Sequence, residues 1–192
     1  MSDMETKNTL FVSALKSGLI IGAISIIVFI IMYVADIKPV GIMMPFVILI
    51  VSLAINIGVL VFLFKKYRSE AGGFISFRDA FLYCFIALVV GAILSTLFTL
   101  LFVQLIEPDY YKKIMDAQKA YMENYLSGKV SDEQLTETLD KIDEQAAKMG
   151  SVTSTLKNLL GSVVFSGIIA LIVGAIMKKK PDVFDNTSGG VI

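Results

Sequence analysis

The sequence predicts an all-α integral membrane protein, built as a four-helix bundle with an extracytoplasmic two-helix hairpin between spans three and four. Two observations support this prediction. Of the 192 residues, 56% are hydrophobic and 18% are charged, which departs from the composition of soluble domains. Charged residues are also missing from stretches of about 20 residues, the length that crosses a ~30 Å hydrocarbon layer. We therefore treat residues 1–192 as a single membrane domain.

Four apolar stretches predict the spans, at residues 10–34, 40–64, 80–106 and 159–177. The first could be read as a signal peptide, because Lys7 and Lys16 precede its apolar part. Its 17 unbroken apolar or small residues from Gly18 onward argue against this, since a signal core has ~7–15 residues and a small-residue cleavage site. The second and third stretches exceed a ~30 Å layer, so we expect them to tilt or protrude, whereas the fourth matches its thickness.

The short connection ADIKP, residues 35–39, makes spans one and two antiparallel and fixes which charges share a membrane face. Lys38 is then the only cation in the short loop on one side. The opposite side carries nine cations, namely Lys7, Lys16, Lys65, Lys66, Arg68, Arg78, Lys178, Lys179 and Lys180. Because short loops rich in Lys and Arg remain in the cytoplasm, both termini are predicted to be cytoplasmic, including the polar tail 178–192.

The loop from residue 107 to 158 keeps a helical period and predicts two amphipathic helices. The first ends at Gly128 and has a shared face of Tyr111, Ile114, Met115, Gln118, Tyr121, Met122 and Tyr125. The second begins after Ser131, with Gln134 at the capping-box position. Its apolar residues form a stripe that we call the seam: Leu135, Leu139, Ile142, Ala146 and Met149. Two interpretations stay open, because the seam could pack within the hairpin and on span three, or receive a second subunit or partner helix.

The stretch GGFISFRDAF, residues 72–81, resembles a functional motif but has a local explanation. Its two glycines permit positive φ and reverse the chain after span two. Ser76 lies where an N-cap is expected, and Asp79 follows at the capping-box position. This pair would satisfy amide donors at the start of span three, where an unpaired group costs several kcal/mol. A phosphate-binding loop is disfavoured, because the further glycines and the GK[ST] ending are missing.

Several short motifs together resemble a known family. They are the basic end of span two, the Gly-Gly turn, the ISFRDAF segment at residues 75–81 and the EPDYY segment at residues 107–111. With them, the chain resembles the bacterial four-span membrane family catalogued as domain of unknown function 4199, over roughly residues 10–179. The resemblance implies a four-span fold and a bacterial inner membrane. It implies no catalytic residue, since the family has no assigned activity.

The membrane interior offers only neutral polar side chains as functional candidates. Ionisable groups in a span indicate function by default, because burying them is costly, and the middle of every span lacks them. Asn56 in span two and Gln104 near the outer end of span three are the strongest candidates, beside hydroxyls in spans three and four. For Asn56 an interhelical hydrogen bond is the more ordinary role. Small residues at intervals of four, as at Gly18 and Gly22, predict close helix packing and a compact bundle.

Enzymatic chemistry has little support in the sequence. The chain has no histidine, the commonest ligand of transition metals and the usual proton carrier at neutral pH. Its single cysteine, Cys84, lies in an apolar run and is expected to pack as a small hydrophobe. Asp36, Glu107 and Asp109 are the acidic candidates near one membrane face, and solvated surface charge is their better interpretation. We therefore expect no catalytic residue, metal or cofactor.

The expected function is that of a structural, assembly or accessory subunit acting through protein contacts. The expected partners are the lipid bilayer and a second copy or another protein bound through the outer hairpin. Nucleic acid is not expected, because the formal net charge is zero and no global basic field would attract it. The alternative is a small transporter or channel for a neutral or weakly polar solute, with Asn56, Gln104 and the hydroxyls of span three lining its path.

Overall fold

The computed structural model describes residues 3–149 and 151–179. It contains six helices: α1 (Asp3–Val34), α2 (Met44–Glu70), α3 (Phe77–Leu101), α4 (Tyr110–Leu126), α5 (Asp132–Lys148) and α6 (Val152–Met177). A π-helical turn, Phe102–Ile106, extends α3. Within the described residues, strand-like pairing is limited to one bridge between Ile75 and Lys179. Four helices are long and apolar enough to cross a membrane, which confirms the predicted all-α membrane fold.

The helix boundaries differ from the predicted spans, although each predicted span lies on its own helix. Residues 41–43 form a turn, so α2 begins only at Met44, with a proline in its first turn. It continues past Phe64 to Glu70, because its basic residues form helix well and can reach the headgroups. At the other end of the chain, α6 begins at Val152 instead of residue 159, after the N-cap Ser151. With 26 residues, α6 is about 39 Å long and extends beyond a ~30 Å layer. The predicted polar tail lies outside the described residues from residue 180 onward.

The transmembrane bundle is organised around α3, which packs most extensively against α1 on one side and α6 on the other. We call the two ends of the bundle the termini end and the hairpin end. The helices α1 and α3 both run from the termini end to the hairpin end, and α2 and α6 run back. By contrast, α2 touches α1 and α3 less extensively. The bundle is therefore a layer of three helices, α1, α3 and α6, against which α2 packs less extensively.

Small residues allow the closest helix approaches. A methyl group added at Gly18 of α1 would lie 2.6 Å from Cβ of Val90 and 2.7 Å from the carbonyl oxygen of Ala87, both on α3. One added at Gly174 of α6 would lie 3.1 Å from the backbone nitrogen of Phe81. These positions follow the predicted small-residue stripes. In lipid, such stripes let dispersion contacts hold helices together.

The termini end is well packed, and it is here that α2 joins the core. The buried residues of α2 are Leu60, Phe64 and Tyr67, all in its second half. The ring of Tyr67 stacks on that of Tyr83 with centroids 4.8 Å apart, and the Tyr83 hydroxyl lies 2.6 Å from Oγ of Ser17. Cys84 is fully buried beside them, in the packing position expected for it.

The outer hairpin is formed by α4 and α5, which pack on each other. Ser131 and Gln134 form the predicted capping box at the start of α5. Of the seam, Ile142 is buried, Leu139 and Ala146 pack against the buried Ile114 and Met115 of α4, and Leu135 is partly buried. In this chain Leu139, Ile142 and Ala146 of the seam therefore pack within the hairpin.

Three residues of the predicted hairpin faces, Met149, Tyr121 and Tyr125, do not pack between α4 and α5. Met149 is not a residue of α5 but its C-cap, and it is 41% exposed; the extended backbone there turns it off the seam. Tyr121 and Tyr125, assigned to the packed face of α4, are exposed and stack on each other with ring centroids 5.9 Å apart. Tyr121 also covers Gly41 of the α1–α2 turn, where an added methyl would lie 3.0 Å from the ring.

Polar contacts fasten the hairpin to the membrane bundle. The hydroxyl of Tyr33, at the end of α1, donates to Glu107, which also pairs with Lys113 of α4 at 3.0 Å. The backbone N–H of Gly41 donates to the side-chain oxygen of Gln118 at 2.7 Å. The Tyr33 ring also belongs to an aromatic cluster, whose other members are Phe29, Phe98, Phe102 and Tyr110. The turn that begins α2 is thus held by α4.

Candidate functional site

Ser76 and Asp79 lie at the start of α3 and form a cap. The Oγ of Ser76 accepts a hydrogen bond from the Asp79 backbone N–H at 3.1 Å and donates one to the Asp79 carboxylate at 2.7 Å. Gly72 and Gly73 both have positive φ, as the reversal before α3 requires. The preceding helix end is tied down by Arg68, whose guanidinium donates to the Met177 carbonyl at the end of α6.

Asn56 bridges two helices at the level of the membrane interior. Its side-chain oxygen accepts a hydrogen bond from the Ser25 hydroxyl of α1 at 3.0 Å, and its amide nitrogen donates to the Ser52 carbonyl at 2.8 Å. This geometry matches the interhelical hydrogen bond that is ordinary for a membrane asparagine. Asn56 also lines a large opening in the bundle.

That opening, which we call the crevice, lies between the first half of α2 and the layer of α1, α3 and α6. Its volume is about 470 Å³, within the ~300–1,000 Å³ range of small-molecule sites. Its lining includes six polar residues, Ser25, Ser52, Asn56, Ser95, Ser162 and Ser166, among larger apolar ones. The bundle is therefore compact at the termini end, as expected, but open toward the hairpin end.

A smaller cavity of about 160 Å³, the vestibule, lies between the outer part of α3 and the first turns of α6. Gln104, the second intramembrane candidate, lines it together with Thr96, Tyr111, Thr155 and Asn158. Ser95 lines both the vestibule and the crevice, so the two cavities meet at this side chain. The structure thus places Asn56 and Gln104 in adjoining cavities rather than in one site.

The two cavities differ in the hydrogen bonds that they can offer. In the crevice, the hydroxyls of Ser25, Ser95 and Ser162 already donate to protein acceptors. In the vestibule, the side chains of Thr96, Gln104, Tyr111, Thr155 and Asn158 make no hydrogen bond with any described residue. The crevice keeps two serine hydroxyls, of Ser52 and Ser166, without a partner among the described residues, in a wall that is otherwise mostly apolar. The vestibule has five such polar side chains in a smaller cavity.

Neither cavity is lined by a charged residue among the described ones. Burial raises the pKa of Tyr111 above its ordinary value, so its phenol stays neutral and can both donate and accept. The charged groups lie further out, where hydrogen bonds from Tyr33 and Lys113 lower the pKa of Glu107. The hydrogen bond to Glu107 correspondingly raises the pKa of Lys113.

Two of the acidic candidates, Asp36 and Glu107, line one cavity of about 290 Å³ at the hairpin end, together with Lys38, Lys113 and Tyr33. Asp36 pairs with Lys38 at 2.8 Å and Glu107 pairs with Lys113. Among the described residues, no three His, Cys, Asp or Glu side chains are grouped so that they could hold a metal ion. These carboxylates act as partners of neighbouring lysines at the hairpin end of the bundle.

Sequence reasoning missed several residues of the two cavities, chiefly Ser25, Ser52, Tyr111, Thr155 and Asn158. Depth measured from the α1–α2 turn pairs Ser25 with Asn56 only once the start of α2 at Met44 is known. Ser25 lies nine residues before the end of α1 and Asn56 twelve after the start of α2, or about 14 and 18 Å along antiparallel helices. Thr155 and Asn158 were missed because α6 was expected to begin only at residue 159.

The fold and cavities define a four-span helical membrane protein with a neutral intramembrane cavity and a helical hairpin at one end. The family model described as protein of unknown function (DUF4199) matches residues 16–179. The chain therefore belongs to this family, as its motifs indicated. No curated protein and no solved structure matches the chain.

Proposed function

We propose that this protein is a non-enzymatic membrane protein that binds a neutral molecule in the crevice and vestibule, as a carrier or small transporter does. The observation that supports this most directly is the pair of adjoining cavities at membrane depth, lined without charge and meeting at Ser95. At this opening the first half of α2 does not make packing contacts with the other helices. A bound molecule would supply those contacts.

This proposal favours the transport alternative over an assembly role based on the seam. The seam residues Leu139, Ile142 and Ala146 contact α4 within the same chain, so a partner would have to displace α4 to reach them. The absence of charge from the described cavity lining also supports binding over acid–base catalysis, which needs a proton donor or acceptor beside the substrate. The proposed location is a bacterial inner membrane with both termini in the cytoplasm, supported by the basic residues at the termini end.

The proposal is tested by native mass spectrometry of protein extracted with its surrounding lipid from the cells that make it. We expect a stoichiometric small molecule on the wild type. Ala92 lines the crevice and Ala23 is exposed on α1, so Ala92→Phe should lose the molecule and Ala23→Phe should keep it. A wild-type chain without ligand, or equal retention by both variants, contradicts the proposal.

A second candidate, association through the outer hairpin, is favoured by one observation. Tyr121 and Tyr125 form an exposed stacked pair, 38% and 42% accessible, outside the cluster that the seam makes with α4. Aromatic residues are enriched in protein interfaces. If this pair binds a second copy or another protein, Tyr125→Ser should reduce the mass of the complex in native nanodiscs, whereas Tyr111→Phe should not.

A further inference from the structure

We infer that the molecule bound in these cavities is a lipid with an uncharged polar head, whose head lies in the vestibule and whose acyl chain lies in the crevice. This inference rests on the proposed function and names the class of its ligand. It follows from the order of the two cavities along α3 and from the difference between their walls.

The order of the cavities matches the way a lipid lies in one leaflet. Along α3, the crevice is lined from Leu88 to Ser95 and the vestibule from Ser95 to Gln104, toward the hairpin end. The vestibule therefore lies nearer the membrane surface and the crevice nearer its centre. A lipid of the leaflet at the hairpin end places its head and chain in the same order.

The lining of the vestibule suits the head of such a molecule, and the lining of the crevice suits its acyl chain. Five vestibule side chains, Thr96, Gln104, Tyr111, Thr155 and Asn158, supply hydroxyl and amide groups that have no partner among the described residues. These groups can pair with hydroxyl, ester or amide groups of a head. The crevice hydroxyls mostly donate to protein acceptors, so its remaining surface suits a hydrocarbon chain. A fully polar solute would leave its own groups unpaired there, which is costly.

The uncharged lining favours an uncharged head. A phosphate would need a cation or several backbone amides, and no lysine or arginine among the described residues lines either cavity. Lys112 of α4 lines an adjoining groove that shares Val103 and Tyr111 with the vestibule, and the carboxylates of Asp116 and Asp143 line the same groove. An anionic phospholipid therefore has no counter-ion in the vestibule.

The chain lacks tryptophan, so one introduced tryptophan reports the chain site by fluorescence quenching. Phe165 lines the crevice, and its neighbour Val164 is 67% exposed on another face of α6 at nearly the same depth. Phe165→Trp and Val164→Trp are each reconstituted in phosphatidylcholine vesicles containing a few mole per cent of a lipid with brominated acyl chains. Three brominated molecules are compared: diacylglycerol, phosphatidylglycerol and, as the control without a head group, an alkane.

We expect brominated diacylglycerol to quench the fluorescence of Phe165→Trp more strongly than that of Val164→Trp. For Phe165→Trp, the brominated alkane should need about a fivefold higher concentration to quench equally, because one net hydrogen bond is worth about that factor. Adding Gln104→Leu and Asn158→Leu should remove that preference. Equal quenching by the alkane overturns the head site, and equal or stronger quenching by phosphatidylglycerol overturns the uncharged head. If no brominated lipid prefers Phe165→Trp, the lipid assignment is wrong, while the mass measurement on Ala92→Phe still decides the proposed function.

Discussion

The contact of Gly18 with α3 allows a quantitative test of the bundle. In Gly18→Ala, the new methyl would lie 2.6 Å from Cβ of Val90 and 2.7 Å from the Ala87 carbonyl oxygen. Carbon atoms in favourable contact are about 3.5–4.0 Å apart, so α1 and α3 must separate by about 1 Å or bend locally. A gap of that size forfeits a quarter to a half of each dispersion contact along the interface.

The expected net effect follows from two opposing terms. Overpacking costs about 1–3 kcal/mol, and the helix preference of alanine over glycine returns up to about 1 kcal/mol. We therefore expect Gly18→Ala to lower the free energy of unfolding by about 0–2 kcal/mol. Gly58 of α2 and Gly161 of α6 are matched controls, since a methyl added at either has no neighbour within 4 Å. These controls should show only the favourable term, so Gly18→Ala should be about 1–3 kcal/mol less stable than either.

Unfolding in mixed micelles, followed by circular dichroism during titration with a denaturing detergent, measures this difference. Using the difference between Gly18→Ala and Gly58→Ala cancels the general effect of alanine in a helix. Equal stability of the two variants would refute the close α1–α3 approach. A larger loss for Gly58→Ala would show that α2, and not α3, packs tightly in the bundle.

Three further predictions concern other parts of the chain. Tyr83→Phe leaves the buried Ser17 hydroxyl without its partner and should cost about 0.5–2 kcal/mol in the same titration, whereas Tyr125→Phe, at an exposed ring, should cost nothing measurable. The pKa of Glu107 is lowered in the folded chain, so the ionised carboxylate stabilises the fold above the ordinary carboxyl pKa. This stabilisation is lost as the pH falls from that ordinary value to the lowered pKa. Glu107→Gln should therefore lose less thermal stability than the wild type between neutral and acidic pH. In intact cells, a maleimide that cannot cross membranes should label Ser127→Cys in a Cys84→Ala background, and labelling only after lysis would reverse the predicted topology.

The sequence predicted the spans well and their ends less well. Apolar length is sufficient to find a membrane helix, because each crossing needs about 20 residues. The ends depend on residues that tolerate both headgroups and water, and hydropathy does not distinguish a helical from a non-helical state there. Thus α2 continues through Lys65 and Lys66, while residues 41–43 form a turn although they carry no polar side chain.

The candidate cavities could be predicted only in part. The sequence indicated Asn56 and Gln104 because they are polar in apolar surroundings, but it did not show that they line adjoining cavities. Small-residue spacing was also insufficient to assign helix contacts. Gly18 and Gly22 meet α3 closely, whereas Ala54 and Gly58 of α2 have the same spacing and are both exposed. Spacing permits a close approach, and the partner is decided by the arrangement of the whole bundle.

The loose first half of α2 has a physical explanation in the solvent around it. Lipid tails are as apolar as leucine, so residues such as Phe46 and Ile50, which are exposed, lose little by facing lipid instead of protein. The position of this half therefore depends on a few polar and steric contacts. These are the hydrogen bond from Ser25 to Asn56 and the docking of Gly41 against Gln118 and Tyr121. Because those contacts lie at the middle and the outer end of the crevice, its width is set by interactions that a bound molecule or a movement of α4 can change without unpacking the buried core at the termini end.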